Sequence, residues 1–145
     1  MIASRKAYLM QEATKTLEIL VYSHDSAFRR DISAALGKRP AADLDEVSIQ
    51  DVATAPMFWQ RLEKQKYDLV IVDADANPAG GLGLARQAKD EIFNCPPFLA
   101  VIARAQDAWL ATWSKAEAVV PKPLDPFVLA ETAATLLRHR TSISQ

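Results

Sequence analysis

Short apolar runs recur along the chain, each followed by an amphipathic stretch of helical length, and this alternation constrains the fold more than any other feature. The clearest run is Leu69-Val70-Ile71-Val72, which Asp73 ends. Four adjacent apolar residues cover both faces of a strand, as an interior strand of a parallel sheet requires. Five strand-helix units are predicted in this way. The strands fall at Leu17–Ser23, Val47–Ala53, Leu69–Val72, Phe98–Ile102 and Ala118–Val120. The helices fall at Ser26–Leu36, Thr54 to about Lys64, Leu82 to about Phe93, Asp107–Ser114 and Asp125 to about Arg140. Ser26 and Asp107 are the expected caps of their helices, Pro56 suits a first turn, and Gly37 is placed to end the first helix. Lys38–Glu46, with Pro40, reads as a surface loop, and so does Ala74–Gly81, with Asn77, Pro78, Gly80 and Gly81. The fold class is α/β, with helices covering both faces of a parallel sheet.

Half of the 145 residues are hydrophobic, enough for one well-filled core, so a single domain over residues 17–140 is expected between an extension, residues 1–16, and a frayed tail, residues 141–145. A net charge of −1 supplies no basic face, so nucleic acid is not an expected partner. Cys95 is the single cysteine, which excludes a disulfide framework and a multi-cysteine metal centre and leaves an ordinary, partly buried thiol. Met1–Thr16 mixes Arg5, Lys6, Glu12 and Lys15 with small residues and lacks the apolar stretch of a signal peptide or a span, so a cytoplasmic protein without membrane insertion is expected.

Asp73 and Lys122 stand at the carboxyl ends of two interior strands. In an open parallel sheet those ends converge on the ligand crevice, so the two opposite charges are expected to share one site. Three segments sharpen this: Tyr67-Asp68-Leu69-Val70-Ile71-Val72-Asp73, the Gly81 eight positions after Asp73, and Val120-Pro121-Lys122-Pro123-Leu124-Asp125-Pro126. Jointly they resemble the receiver domain of two-component response regulators, over roughly Leu17–Arg138. The resemblance implies a flavodoxin-like (βα)5 three-layer sandwich with strand order 2-1-3-4-5. It also implies that Asp73 takes the phospho-acceptor position and that Lys122 is the phosphate-contacting lysine, whose bond to Pro123 is commonly cis.

Departures from the family pattern carry the functional reading. Phosphoryl transfer to a carboxylate brings an anion toward an anion, so it depends on a metal and fixed cations. Receivers complete the metal site with two adjacent acids after the first strand. Here Val21-Tyr22-Ser23-His24-Asp25 lies there, and the arginine pair Arg29-Arg30 fixes the register, so Ser23 and His24 fill the acidic-pair positions. A hydroxyl and an imidazole in place of two carboxylates weaken a site for Mg2+, leaving Asp25 and Asp75 as residual metal or polar contacts. No cofactor is expected beyond weakly held Mg2+. At the switch position, where receivers carry Thr or Ser, Ile102 is expected, or Ala103 if the alignment slips by one. Neither has a hydroxyl. A charge-assisted hydrogen bond is worth roughly 1.5–3 kcal/mol, against about 5.5 kcal/mol for a full switch, so much of the coupling is lost. Asn77 at the usual proline position and Val119 at the usual aromatic position point the same way.

Two readings of the Asp73–Lys122 pair stay open, a leftover ion pair and a working phospho-acceptor, and a third has protonated His24 pairing with Asp73 as a pH reporter. Gly80-Gly81-Leu82-Gly83 matches no nucleotide fingerprint and reads as a loop entering a helix. Trp109 and Trp113 are four apart on the short fourth helix and share one face, one expected inward and one outward. With Lys115 and the final helix they form the expected partner face, a protein-binding or homodimer surface. Leu20-Val21-Tyr22-Ser23, Val52-Ala53-Thr54-Ala55-Pro56-Met57 and Trp109-Leu110-Ala111-Thr112-Trp113 further resemble the actinobacterial orphan receiver-like proteins, which are linked with respiratory NADH dehydrogenase. The resemblance offers that complex as a partner. The expected function is a stand-alone, non-enzymatic receiver-like binding module largely independent of phosphorylation. The alternatives are a phosphorelay receiver served by a histidine kinase and a flavodoxin-like cofactor protein.

Overall fold

A computed structural model describes residues 16–104 and 108–144, with the side chains of 141–144 left aside. The elements are β1 (Leu17–Tyr22), α1 (Ser26–Leu36), β2 (Val47–Val52), α2 (Ala55–Lys64), β3 (Leu69–Asp73), α3 (Gly81–Glu91), β4 (Phe98–Ile102), α4 (Ala108–Trp113), β5 (Ala118–Pro121) and α5 (Pro126–Ser144). The five strands form one sheet in the order β2-β1-β3-β4-β5, and every pair is parallel. This is the flavodoxin-like three-layer arrangement expected from the sequence.

Every residue of β3 and β4 is buried, which is why those strands read as unbroken apolar runs. Successive residues feed two different cores. Ile19, Val21, Leu69 and Ile71 pack on one face against Phe28, Ile32 and Leu36 of α1 and Leu129, Ala133 and Leu137 of α5. Leu20, Tyr22, Val70 and Val72 pack on the other against Phe58 of α2, Leu84, Ala85 and Ala88 of α3 and Ala111 of α4. The sheet is thereby held between two helical layers, and its strand ends are positioned from both sides.

Several local expectations change. Asp25, not Ser26, caps α1, its carboxylate accepting from the Ala27 N–H at 2.9 Å. Both residue types cap helices, so the sequence alone does not choose between neighbours. Helix α3 begins at Gly81 and ends at Glu91, which leaves Phe93 91% exposed beyond it. Helix α5 continues through Ser144, across the stretch expected to be a tail, because no glycine or proline follows Arg140 to stop it. The loop before β2 is more than surface: Leu44 is buried in the core, and Asp43 takes two bonds from Arg138 of α5 at 2.7 and 2.8 Å. That guanidinium holds the Asp43 carboxyl down to about 2. The expected cap Asp107 and the extension lie outside the described residues.

One glycine fixes how closely α3 approaches the end of β3. A Cβ on Gly81 would lie 2.5 Å from the Asp73 carbonyl oxygen and 2.8 Å from the Val72 Cβ, whereas one on Gly83 would meet nothing within 4 Å. Gly81→Ala is therefore expected to destabilise the fold by about 1–3 kcal/mol through overpacking. Gly83→Ala, in the same helix, is expected to stabilise it by up to about 1 kcal/mol through helix propensity. Urea unfolding of the two variants checks the opposite signs.

Candidate functional site

The parallel register sets Tyr22 beside Val72 and Asp73 beside Val101, with Val101 beside Val120. Ser23, Asp73 and Lys122 therefore reach the carboxyl edge of the sheet together. Asp73 is the last residue of β3, and its side chain is only 2% exposed. A buried carboxylate needs donors on both oxygens, because losing water costs it more than any neutral group. It has them. The Ser23 hydroxyl donates to Oδ2 at 2.7 Å, and Oδ1 accepts from Lys122 Nζ and from the Asp75 backbone N–H, each at 3.0 Å.

Lys122 is set in turn by its surroundings. Its ammonium reaches Asp75 Oδ2 at 3.4 Å and lies 5.2 Å from the centroid of the Phe28 ring, a cation–π distance. The Lys122–Pro123 bond is cis, as the family resemblance implies. Burial works against the ammonium, but the hydrogen bonds and charges of Asp73 and Asp75 outweigh it and hold Lys122 above the ordinary lysine value.

Three consecutive residues at the end of β1 fasten β3 and the loop after it. Tyr22 donates its phenol to the Ala79 carbonyl at 2.5 Å, Ser23 bonds Asp73, and His24 Nδ1 accepts from the Asn77 N–H at 2.9 Å. Burial, with the Asp73 charge adding to it, pushes the Tyr22 phenol up, so it stays protonated as a donor. His24 faces the loop amide rather than Asp73, which corrects the reading of a protonated His24 paired with that carboxylate.

Asp25 does not reach Asp73 either. Its carboxylate caps α1, and its N–H donates to Ser23 Oγ at 3.0 Å. Ile102 ends β4, buried, and Ala103 follows it exposed; the Ile102 carbonyl accepts from the Lys122 N–H at 2.8 Å. Neither side chain offers an oxygen. Tyr22 and Phe28 were not singled out from the sequence as site residues, and Arg29 and Asn77 entered only as alignment positions. Arg29 donates to the Ser23 carbonyl at 2.7 Å and pairs with Asp51 at 2.9 Å, which fixes the backbone at Ser23. Nothing in the sequence marked a loop amide at Asn77.

On the α4 side both indoles are exposed, Trp109 at 68% and Trp113 at 46%, where one was expected inward. Ala111 and Leu110 fill the inner face of this short helix instead. Lys115 is turned to α3, pairing with Asp90 at 2.9 Å, and Arg86 of α3 lies over the Trp113 ring at 5.4 Å. Lys115 therefore braces α4 against α3.

Mg2+ takes oxygen ligands in near-octahedral geometry. Next to Asp73 the chain offers a hydroxyl already donating to that carboxylate and an imidazole already accepting from a loop amide. Among the described residues, no group of three His, Cys, Asp or Glu side chains could hold a metal ion. Without an acid at position 23 or 24, Asp73 and the Asp75 that shares Lys122 with it form a donor set poorer in carboxylates than this ion favours. Among the described residues, too, no helix is long and apolar enough to cross a membrane.

No protein-family model matches the chain. It is 46% identical over 129 residues to the uncharacterized response regulatory protein Rv3143 of Mycobacterium tuberculosis strain H37Rv, covering 89% of this chain and 97% of that protein. The counterpart MT3230 of strain CDC 1551 matches equally. Among solved structures, the fold superposes on the signal receiver domain of an HD domain-containing protein from Pseudomonas fluorescens Pf-5, with TM-score 0.75 at 18% identity, covering 90% of this chain and 93% of that one. It also superposes on the chemotaxis response regulator CheY4 of Vibrio cholerae, with TM-score 0.70 at 15% identity, covering 84% and 99%.

A pH dependence follows from the pair. A group whose folded pKa is raised contributes stability that is fully present below its unfolded value, about 10.4 for lysine, and lost as pH rises through the folded value. In Asp73→Asn the Lys122 pKa is expected to fall and this alkaline loss of stability to shrink. Titration of the Lys122 Cε resonance by NMR, with thermal midpoints across alkaline pH, checks both.

Proposed function

Because the chain belongs to the response-regulator receiver family, we propose that it is a signalling receiver whose Asp73 site is closed by internal hydrogen bonds, and that it works as a regulatory protein-binding module without phosphorylation. The observation that carries this reading is the double occupation of the carboxylate: Ser23 on one oxygen, Lys122 and the Asp75 amide on the other. An oxygen attacking phosphorus needs a free lone pair and a metal to neutralise the incoming anion. Ser23 engages one of the two lone pairs of Oδ2 and, together with His24, stands where the metal-binding acids belong. A receiver built this way keeps its fold and its faces while its phosphorylation chemistry is silent.

Output then passes through a surface. Helices α4 and α5 flank β5, the edge strand, and this side presents Trp109, Trp113, Val119, Phe127 and Val128 to solvent. Large exposed aromatics next to arginine suit the centre of a protein interface. The respiratory NADH dehydrogenase complex, offered by the resemblance to the actinobacterial orphan proteins, is the first partner to try.

Intact-protein mass after incubation with Mg2+ and phosphoramidate tests the silent site. No adduct is expected on the unaltered protein. The double variant Ser23→Asp with His24→Asp is expected to gain one phosphoryl adduct that disappears when Asp73→Ala is added. An Asp73-dependent adduct on the unaltered protein would instead support the phosphorelay reading and a histidine kinase as partner. For the docking face, Trp109→Ala and Trp113→Ala are expected to weaken binding of the NADH dehydrogenase complex by about 2 kcal/mol or more each, with unchanged thermal midpoints. Unchanged affinity in both folded variants would remove that face from the proposal.

A further inference from the structure

A second concavity lies at the opposite end of the sheet from Asp73. Its cavity volume is about 630 Å3, and it opens among the segments that lead into β3, β4 and β5, lined by Tyr67, Ile92, Phe93, Cys95, Pro96 and Pro97 among others. That volume falls within the range of about 300–1,000 Å3 common to small-molecule sites. Its walls are mainly apolar and its aromatic rim is uncovered: Phe93 is 91% exposed, just past the end of α3. Single exposed apolar residues are ordinary, but an exposed ring on the edge of a cavity of this size is not single.

The charges at the mouth select one kind of occupant. Lys66 and Arg140 line it, and Arg140 is placed there by a bond to the Cys95 carbonyl at 3.4 Å. Glu117 is the acidic residue in the lining, and both of its oxygens are engaged, one by Lys89 and the other by the Phe98 N–H at 2.6 Å. Its charge is therefore answered within the protein. Lys66 is exposed and makes no ion pair among the described residues. Lys66 thus stands as a cation at the mouth of an apolar interior.

We propose that this cavity is a binding site for an amphipathic carboxylate, an apolar body with one acidic group, seated with the body against Tyr67, Ile92, Phe93 and the Pro96-Pro97 pair and the acid toward Lys66. The site stands apart from Asp73 and does not rest on the reading of that carboxylate. Occupancy would cover Phe93 and the Cys95 wall and tie the entry segments of β3 and β4 together.

Cys95 gives a local readout because it is the chain's single cysteine and lines the cavity. Burial pushes its thiol above the ordinary value, so alkylation is run at alkaline pH. The rate of Cys95 modification by iodoacetamide, followed by intact mass, is expected to fall saturably with dodecanoate below its micellar concentration. The neutral analogue dodecan-1-ol, or Lys66→Glu, should shift half-protection by roughly tenfold or more, the loss of a charge-assisted contact. Lys66 is exposed, so that variant is expected to keep the native circular dichroism spectrum. Amide NMR shifts at Tyr67, Ile92 and Cys95 in the same titration read the site even where the thiol reacts slowly. Absence of saturable shifts at these amides, or equal effects from dodecan-1-ol and in Lys66→Glu, would overturn the proposal.

Discussion

The carboxylate of Asp73 is buried at the end of a central strand, and the protein answers it with a hydroxyl, an ammonium and a backbone amide of its own. A buried ion of this kind is costly unless both oxygens are bonded, so the arrangement of β1, β3 and β5 is tied to it. Ser23 is carried to Oδ2 because β1 runs parallel to β3 in a register that sets Tyr22 beside Val72. Lys122 is carried to Oδ1 because β5 ends one residue earlier and the Lys122 N–H bonds the Ile102 carbonyl. Gly81 lets α3 press against the same strand end, where a side chain would collide with the Asp73 backbone.

The hydrogen bonding extends past the carboxylate. In a receiver with an acidic pair, a cation links the end of β1 to the end of β3. Here Tyr22, Ser23 and His24 make that link directly, to Ala79, Asp73 and Asn77. Each bond is modest in net energy, on the order of 1 kcal/mol, but together they hold a loop rich in glycine and proline in one arrangement. A loop fastened from within has less to gain from an added phosphoryl group, which is the physical basis of the proposal that this receiver acts by binding and not by switching.

Much of the fold was legible in the residues, and the reason is burial. Leu69-Val70-Ile71-Val72 and Phe98–Ile102 have both faces covered, so their composition alone marks them as interior strands, and the Asp73 and Lys122 ends then converge by the geometry of parallel sheets. The losses lie where two residues suited to the same role compete or where a backbone group is the partner. Asp25 and Ser26 are both good caps, and only the folded structure selects Asp25. The four-residue spacing of Trp109 and Trp113 puts them on one face but does not say which; the small Ala111 takes the inside of α4. The Asn77 amide on His24 and the cavity beneath Phe93 arise from loop paths that no periodicity encodes.

The most direct test of the account is a Mg2+ titration of the unaltered protein, followed by backbone amide shifts at Ser23, Asp73, Asp75 and Asn77. With the carboxylate satisfied from within, these amides are predicted to stay in place into the millimolar range, with only the small linear drift of ionic strength. Saturable shifts centred on Asp73 and Asp75 at or below that range would show that Ser23 and His24 leave a working metal site, and the account of a chemically silent receiver would be wrong.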